Sequence, residues 1–95
     1  MVLEVALLDV TPGTEQAFRD AYAQGRGLIE AAKGWRSMRM TQGIETPSRF
    51  VLLVEWDAVA SHEDFRASDA FGAWRALVGP HFAGPPRVEH FDDVM

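Results

Sequence analysis

The chain has 95 residues, 47% of them apolar and 24% charged, with no cysteine and a formal net charge of −5. Such values describe one globular domain over residues 1–95 and exclude a disulfide framework, thiolate chemistry and zinc–thiolate sites. The acidic balance and scattered basic residues argue against nucleic acid and membrane surfaces as partners; no apolar run nears the ~18 residues of a bilayer span and no basic leader precedes Val2, so the expected compartment is cytoplasmic.

Val2 to Val10 is the first strand, apolar except for Glu4 and Asp9. Thr11-Pro12-Gly13-Thr14 stops it and starts a helix. Either threonine suits the N-cap, Pro12 a first turn, and Glu15 the positive end of the helix dipole. From Glu15 to about Ala32, the residues Phe18, Tyr22, Gly25 and Ile29 recur at helical spacing, which predicts an amphipathic helix with one buried stripe. Gly25 and Gly27 each cost roughly 1 kcal/mol against alanine in a helix interior. Close packing of the helix on the sheet is the favoured reason for them, a kink beside a ligand the alternative. Lys33-Gly34 closes the helix with a cation and a left-handed glycine.

Trp35 to Gln42 alternates, with Trp35, Ser37, Arg39 and Thr41 on one side and Arg36, Met38, Met40 and Gln42 on the other, predicting an edge strand. Gly43 to Arg49 reads as a hairpin loop, so the next strand, Phe50 to Trp56, is its antiparallel neighbour. Six of those seven residues are apolar, as in a strand buried on both faces. Asp57 is expected to N-cap a short helix over Ala58 to Arg66, and Ser68 a second over Asp69 to Val78. Gly79-Pro80 ends it, and after Pro85-Pro86 the last strand runs from Arg87 to about Val94.

The order β-α-β-β-α-β, with its second helical region split, is the α+β ferredoxin-like pattern: a four-stranded antiparallel sheet with helices on one face. Helices cover only that face, yet the first and third strands are apolar on both. The uncovered patch predicts a homodimer, sheet face against sheet face.

Trp56, His62, Phe65, Ser68, Phe71 and Trp74 stand in the spacing W-x5-H-x2-F-x2-S-x2-F-x2-W. With Val54-Glu55 before them, Gly79-Pro80-His81-Phe82 and Pro85-Pro86-Arg87-Val88-Glu89-His90-Phe91 after them, and Pro12-Gly13 behind the opening strand, they resemble the antibiotic biosynthesis monooxygenase (ABM) domain family over nearly the whole chain. The resemblance implies a dimeric α/β barrel with a cavity in each subunit between sheet and helices. It also implies, as in some members, oxygenation of aromatic polyketides or quinols without metal, flavin or haem. There the protein helps to deprotonate a phenolic substrate, whose anion reduces oxygen directly. Members that degrade haem carry an Asn on the first strand, a Trp early in the second helical region and a haem-ligating His ten residues later. Here those slots hold Ala6, Phe65 and Arg75, so no haem is implied.

The expected function is therefore a cofactor-independent monooxygenase acting on a small electron-rich aromatic, quinol or polyketide-like. The alternative is a small-molecule-binding or structural module of the same fold without catalysis. His90 alternates with Val88 on the last strand and is the preferred proton acceptor. His62 is the second catalytic candidate, although a hydrogen bond tying helix to strand is the simpler role for it. His81, after Gly79-Pro80, is a solvated residue that gates a pocket if it acts at all. The spacings of the three histidines match no metal motif. Phe65, Phe71 and Trp74 form an aromatic stripe at helical spacing, which packs the core or lines the substrate site. Trp74 adds an indole N–H that needs a partner when buried, and Tyr22 offers a hydroxyl from the opposite wall. Arg39 and Arg66 are oxyanion-stabilising candidates, solvation being the commoner fate of such arginines.

Overall fold

The computed structural model describes residues 1–95. Its elements are β1 (Val2–Asp9), α1 (Glu15–Glu30), β2 (Trp35–Gln42), β3 (Arg49–Trp56), α2 (Val59–Arg66), α3 (Asp69–Val78), a 3-10 turn (Gly79–His81) and β4 (Arg87–Phe91). The strands form one antiparallel sheet in the order β2-β3-β1-β4, so β2 is an edge and pairs with β3 as expected. This is the ferredoxin-like arrangement, with the second helical region divided between α2 and α3. No helix is long and apolar enough to cross a membrane.

Period-two alternation decides which side chains meet the helices. On β1 they are Glu4, Ala6 and Leu8, and on β3 they are Phe50, Leu52, Val54 and Trp56, all buried. These residues join Phe18, Ala21 and Ile29 of α1, Phe65 of α2, and Trp74 and Val78 of α3 in one core. The intervening residues, Val5, Leu7, Val51 and Leu53, are half-buried on the outer face. The expected burial of β3 on both faces is thus met on one face by the chain itself, because all three helices lie on that side.

Several local expectations shift. A register break between Trp35 and Ser37 makes Arg36 an extra residue, so Trp35 faces the helices with Met38 and Met40 instead of siding with Ser37. α1 stops at Glu30, and its N-cap Thr14 donates its hydroxyl to the Thr11 carbonyl at 2.6 Å instead of capping the helix. Glu15 accepts from the Gly13 N–H at 2.8 Å. Asp57 caps nothing: its carboxylate holds the Arg36 guanidinium at 2.6 Å, and Ala58 occupies the cap of α2. Ser68 does cap α3, accepting from the Phe71 N–H at 3.3 Å. β4 ends at Phe91, short of Val94. Gly34 takes a φ of +87°, and a Cβ there would collide with the Ser61 side chain, so the turn between α1 and β2 requires glycine twice over.

Gly25 is a close-packing glycine, but its partner is α3 and not the sheet. A Cβ there would lie 3.0 Å from Trp74 Cε3 and 3.1 Å from Leu77 Cδ1, whereas one at Gly27 would meet nothing within 4 Å. The two glycines should therefore respond with opposite sign. Gly27→Ala is expected to stabilise by about 0.5–1 kcal/mol through helix propensity and chain entropy. Gly25→Val is expected to destabilise by about 1–3 kcal/mol, because the added side chain would press on both the indole of buried Trp74 and the Leu77 side chain. Urea midpoints of the two variants check this, and equal shifts would remove the α1–α3 contact as the reason for Gly25.

Candidate functional site

Glu4 is the anomaly from which the site is built. It occupies a core position of the central strand β1 and is 6% exposed. A carboxylate there requires partners. The Trp56 indole N–H donates to its Oε1 at 3.0 Å, across the β1–β3 ladder. The same Oε1 lies 3.3 Å from Nε2 of His62, itself 4% exposed on α2. Both contacts fall on one oxygen, which leaves Oε2 unengaged by any side chain. The His62 ring stacks on Trp56 with centroids 5.2 Å apart and planes inclined by 16°. Its second nitrogen, Nδ1, is 2.7 Å from Nε2 of His90. β1 pairs with β4 so that Glu4 stands opposite His90, which brings the last strand's histidine to the same face. The result is a continuous line, Trp56–Glu4–His62–His90, running from the core towards the sheet edge.

Burial governs the charge states. It raises the Glu4 pKa above the ordinary carboxylate value, against the lowering effects of the Trp56 hydrogen bond and the Arg66 charge. It also brings His62 down to about 4, with the His90 and Arg66 charges adding to the effect. Neutral His62 therefore donates through one ring nitrogen and accepts through the other, and its two tautomers point the line in opposite directions.

A cavity of about 150 Å³ opens beside this line. Ala6, Leu8, Leu52 and Val88 of the sheet make its floor. Phe71 and Trp74 of α3 and Phe82 of the following loop wall it. Glu4 and His62 supply polar groups at its buried end, and Arg66 and Arg75, both exposed, supply them at its open end. The volume suits one aromatic ring: an engineered apolar cavity of about 150 Å³ takes up benzene. It is well short of the ~300 Å³ at which drug-sized pockets begin.

Of the residues singled out by sequence, His62, Arg66, Phe71 and Trp74 line this cavity. His90 stands behind His62 and meets the solvent side near Val59 and Asp92. Phe65 is buried beneath, against Trp56 at 5.9 Å and edge-on to Phe71 at 5.7 Å. Tyr22 lies on the far side of Trp74, edge-on at 6.1 Å, with the Arg26 guanidinium over its ring. His81 is held in the 3-10 turn, where its carbonyl accepts from the Thr11 N–H at 2.8 Å and its ring meets Phe18, away from the cavity. Sequence reasoning passed over Glu4 and Arg75. The signal for Glu4 was available: an acidic residue in phase with Ala6 and Leu8 on a buried strand. No group of three His, Asp or Glu side chains gathers at metal-binding distance.

Comparison with known proteins agrees with this architecture. The profile of the family described as antibiotic biosynthesis monooxygenase matches residues 1–77. The Bacillus subtilis uncharacterized protein YczJ is 38% identical over 95 residues, covering 99% of this chain and 100% of that one. The crystal structure of a candidate antibiotic biosynthesis monooxygenase from Bordetella bronchiseptica superposes with a TM-score of 0.96 at 41% identity, covering 99% and 97% of the two chains. A mutant of SnoaB, a cofactor-independent oxygenase from Streptomyces nogalater, shares the fold alone: its TM-score is 0.85 at 13% identity, over 99% and 93% of the chains.

Proposed function

The chain belongs to the antibiotic biosynthesis monooxygenase family, and on that premise we propose that it is a single-domain, cofactor-independent oxygenase of a one-ring phenol or quinol. The observation that carries this reading is the Glu4–His62–His90 line at the inner end of an aromatic-walled cavity. The cavity volume favours a quinol over a polyketide-sized substrate. Burial moves the Glu4 pKa towards neutrality, which makes its carboxylate a better base than an ordinary one. Its free oxygen Oε2 takes the phenolic proton; the carboxyl group then turns to present that proton to His62, which accepts it at Nε2 and releases the proton of its Nδ1 to His90 at the solvent side. The phenolate left in the apolar cavity is electron-rich and supplies its own electrons to oxygen. The balance closes without a cofactor: a dihydroxybenzene and dioxygen give a hydroxybenzoquinone and water. One oxygen atom enters the ring, and the other leaves as water with two hydrogens of the quinol. Glu4 and His62 are thus the catalytic residues in contact with substrate, His90 relays the proton, and Phe71 and Trp74 hold the ring.

Oxygen uptake by purified, metal-free protein with a series of quinols tests the reading. We expect turnover above the uncatalysed rate and a loss of about 10²–10⁴-fold in Glu4→Gln. A smaller loss is expected in His90→Gln, which removes only the last acceptor of the line. Quinols that bind without any protein-dependent uptake would leave a binding module, and uptake unchanged in Glu4→Gln would move the base elsewhere.

The same reading includes a homodimer through the outer sheet face, where Val5, Leu7, Val51 and Leu53 are joined by Phe91, 48% exposed at the edge. Light scattering is expected to return twice the chain mass of 10.6 kDa. Leu53→Glu is expected to halve it while the far-ultraviolet circular dichroism stays folded. A wild-type monomer at micromolar concentration would dismiss the sheet-to-sheet pairing.

A further inference from the structure

The two arginines at the open end of the cavity have no counterpart in the chemistry just described. The geometry points to Arg66 and Arg75 as a carboxylate-binding pair, and so to a substrate that is a phenol carrying a carboxylate across the ring, a hydroxybenzoate; this rests on the reading of the cavity as a phenol site. Arg66 closes α2 and Arg75 stands in the last turn of α3, so the split of the second helical region brings both side chains to one cavity. The chain has 14 acidic residues, and three of its other arginines, Arg26, Arg36 and Arg49, are paired with Glu30, Asp57 and Asp9. Arg66 and Arg75 make no ion pair with any of the 14. In a chain of net charge −5, the mouth of this cavity is a local reversal of sign, which concentrates anions there.

Arg75 is held ready for the task. Its guanidinium lies 5.9 Å over the Phe71 ring and 5.4 Å over the Phe82 ring, and both rings are cavity walls. Contacts of this kind hold the group in place but use none of its N–H donors, which remain free for a carboxylate to accept two at once. Arg66 lines the same cavity as Glu4 and His62, which puts it within reach of a molecule occupying that space. Glu4 at the inner end repels an anion and accepts from a hydroxyl, so the ligand has one allowed direction: hydroxyl inward, carboxylate outward. One ring fills the apolar length between them.

The test compares 4-hydroxybenzoate with 4-hydroxybenzamide, which has the same shape without the charge. Binding to the wild-type chain is followed by calorimetry and by the NMR shift of the Trp74 indole N–H, which reports occupancy of the cavity itself. We expect the acid to bind about tenfold or more tightly than the amide, and increasing salt to erode the difference. In the Arg66→Gln/Arg75→Gln double variant, whose altered side chains are exposed, the acid should fall to the level of the amide while the amide is unaffected. An amide that binds as well as the acid would overturn the carboxylate assignment and leave the phenol site standing. Binding of neither would overturn both, and an acid preference that survives in the double variant would overturn the role of the two arginines.

Discussion

Truncation of Trp56 to alanine is expected to bring the chain to the edge of unfolding at 25 °C. Trp56 is fully buried, stacks on His62 and packs on Phe65, so its removal costs about 3–5 kcal/mol in lost burial and residual cavity. It also takes away the indole N–H that partners the buried Glu4 carboxylate, adding about 1–3 kcal/mol. Domains of this size have about 5–15 kcal/mol in total. Two further variants separate the contributions. Trp56→Phe keeps most of the apolar body and loses the donor, and should cost about 1–3 kcal/mol. Combining it with Glu4→Leu removes donor and acceptor together and should recover part of that loss, the recovery being limited by Nε2 of buried His62, which Glu4 also partners. Urea denaturation followed by circular dichroism measures all of these. A Trp56→Phe variant as damaged as Trp56→Ala would make the hydrogen bond dominant over packing; a combined variant worse than Trp56→Phe alone would contradict the pairing of Trp56 with Glu4.

Acidification is the second large effect, and its sign follows from His62. Unfolded, this histidine takes up a proton near its ordinary value of 6.5; folded, burial delays uptake to about pH 4. Between those values the unfolded chain binds the proton and the native chain does not. The His62 contribution is therefore fully present above pH 6.5, falls as the pH drops, and levels off below about 4. The separation corresponds to roughly 3 kcal/mol. Glu4 works in the opposite direction. Its folded pKa is raised, so its contribution to stability is present below the unfolded value of 4.5 and is lost as the pH rises through the folded value. In the window above 4.5 it offsets part of the His62 loss. Glu4→Gln removes that offset and should steepen the decline in melting temperature from pH 6.5 to 4.5. His62→Gln should flatten it. Thermal melts of the three proteins across about pH 4 to 8 decide the matter, and parallel curves for wild type and His62→Gln would show that His62 is not the group responsible.

The sequence alone determined the order of elements, the edge position of β2 and the Ser68 cap. Each depends on a local period or a neighbouring residue, and local patterns survive whatever the rest of the chain does. It also carried the spacing from Trp56 to Trp74, which places His62, Phe71 and Trp74 on the surface that became the cavity wall. The bulge at Arg36 and the loss of the Asp57 cap were not legible: the first is a break in the pairing with β3, and in the second Asp57 binds Arg36, 21 residues away, instead of its own helix. The line Trp56–Glu4–His62–His90 is entirely tertiary. Trp56 lies 52 residues from Glu4, and His62 lies 28 from His90. They meet because β1 runs between β3 and β4 in a register that sets Glu4 opposite both Val54 and His90. A one-residue slip in either ladder would turn Glu4 or His90 to the other face of the sheet. Period-two patterning identifies the face on which a side chain belongs. Only the assembled sheet determines which carboxylate, indole and imidazole share it closely enough to touch.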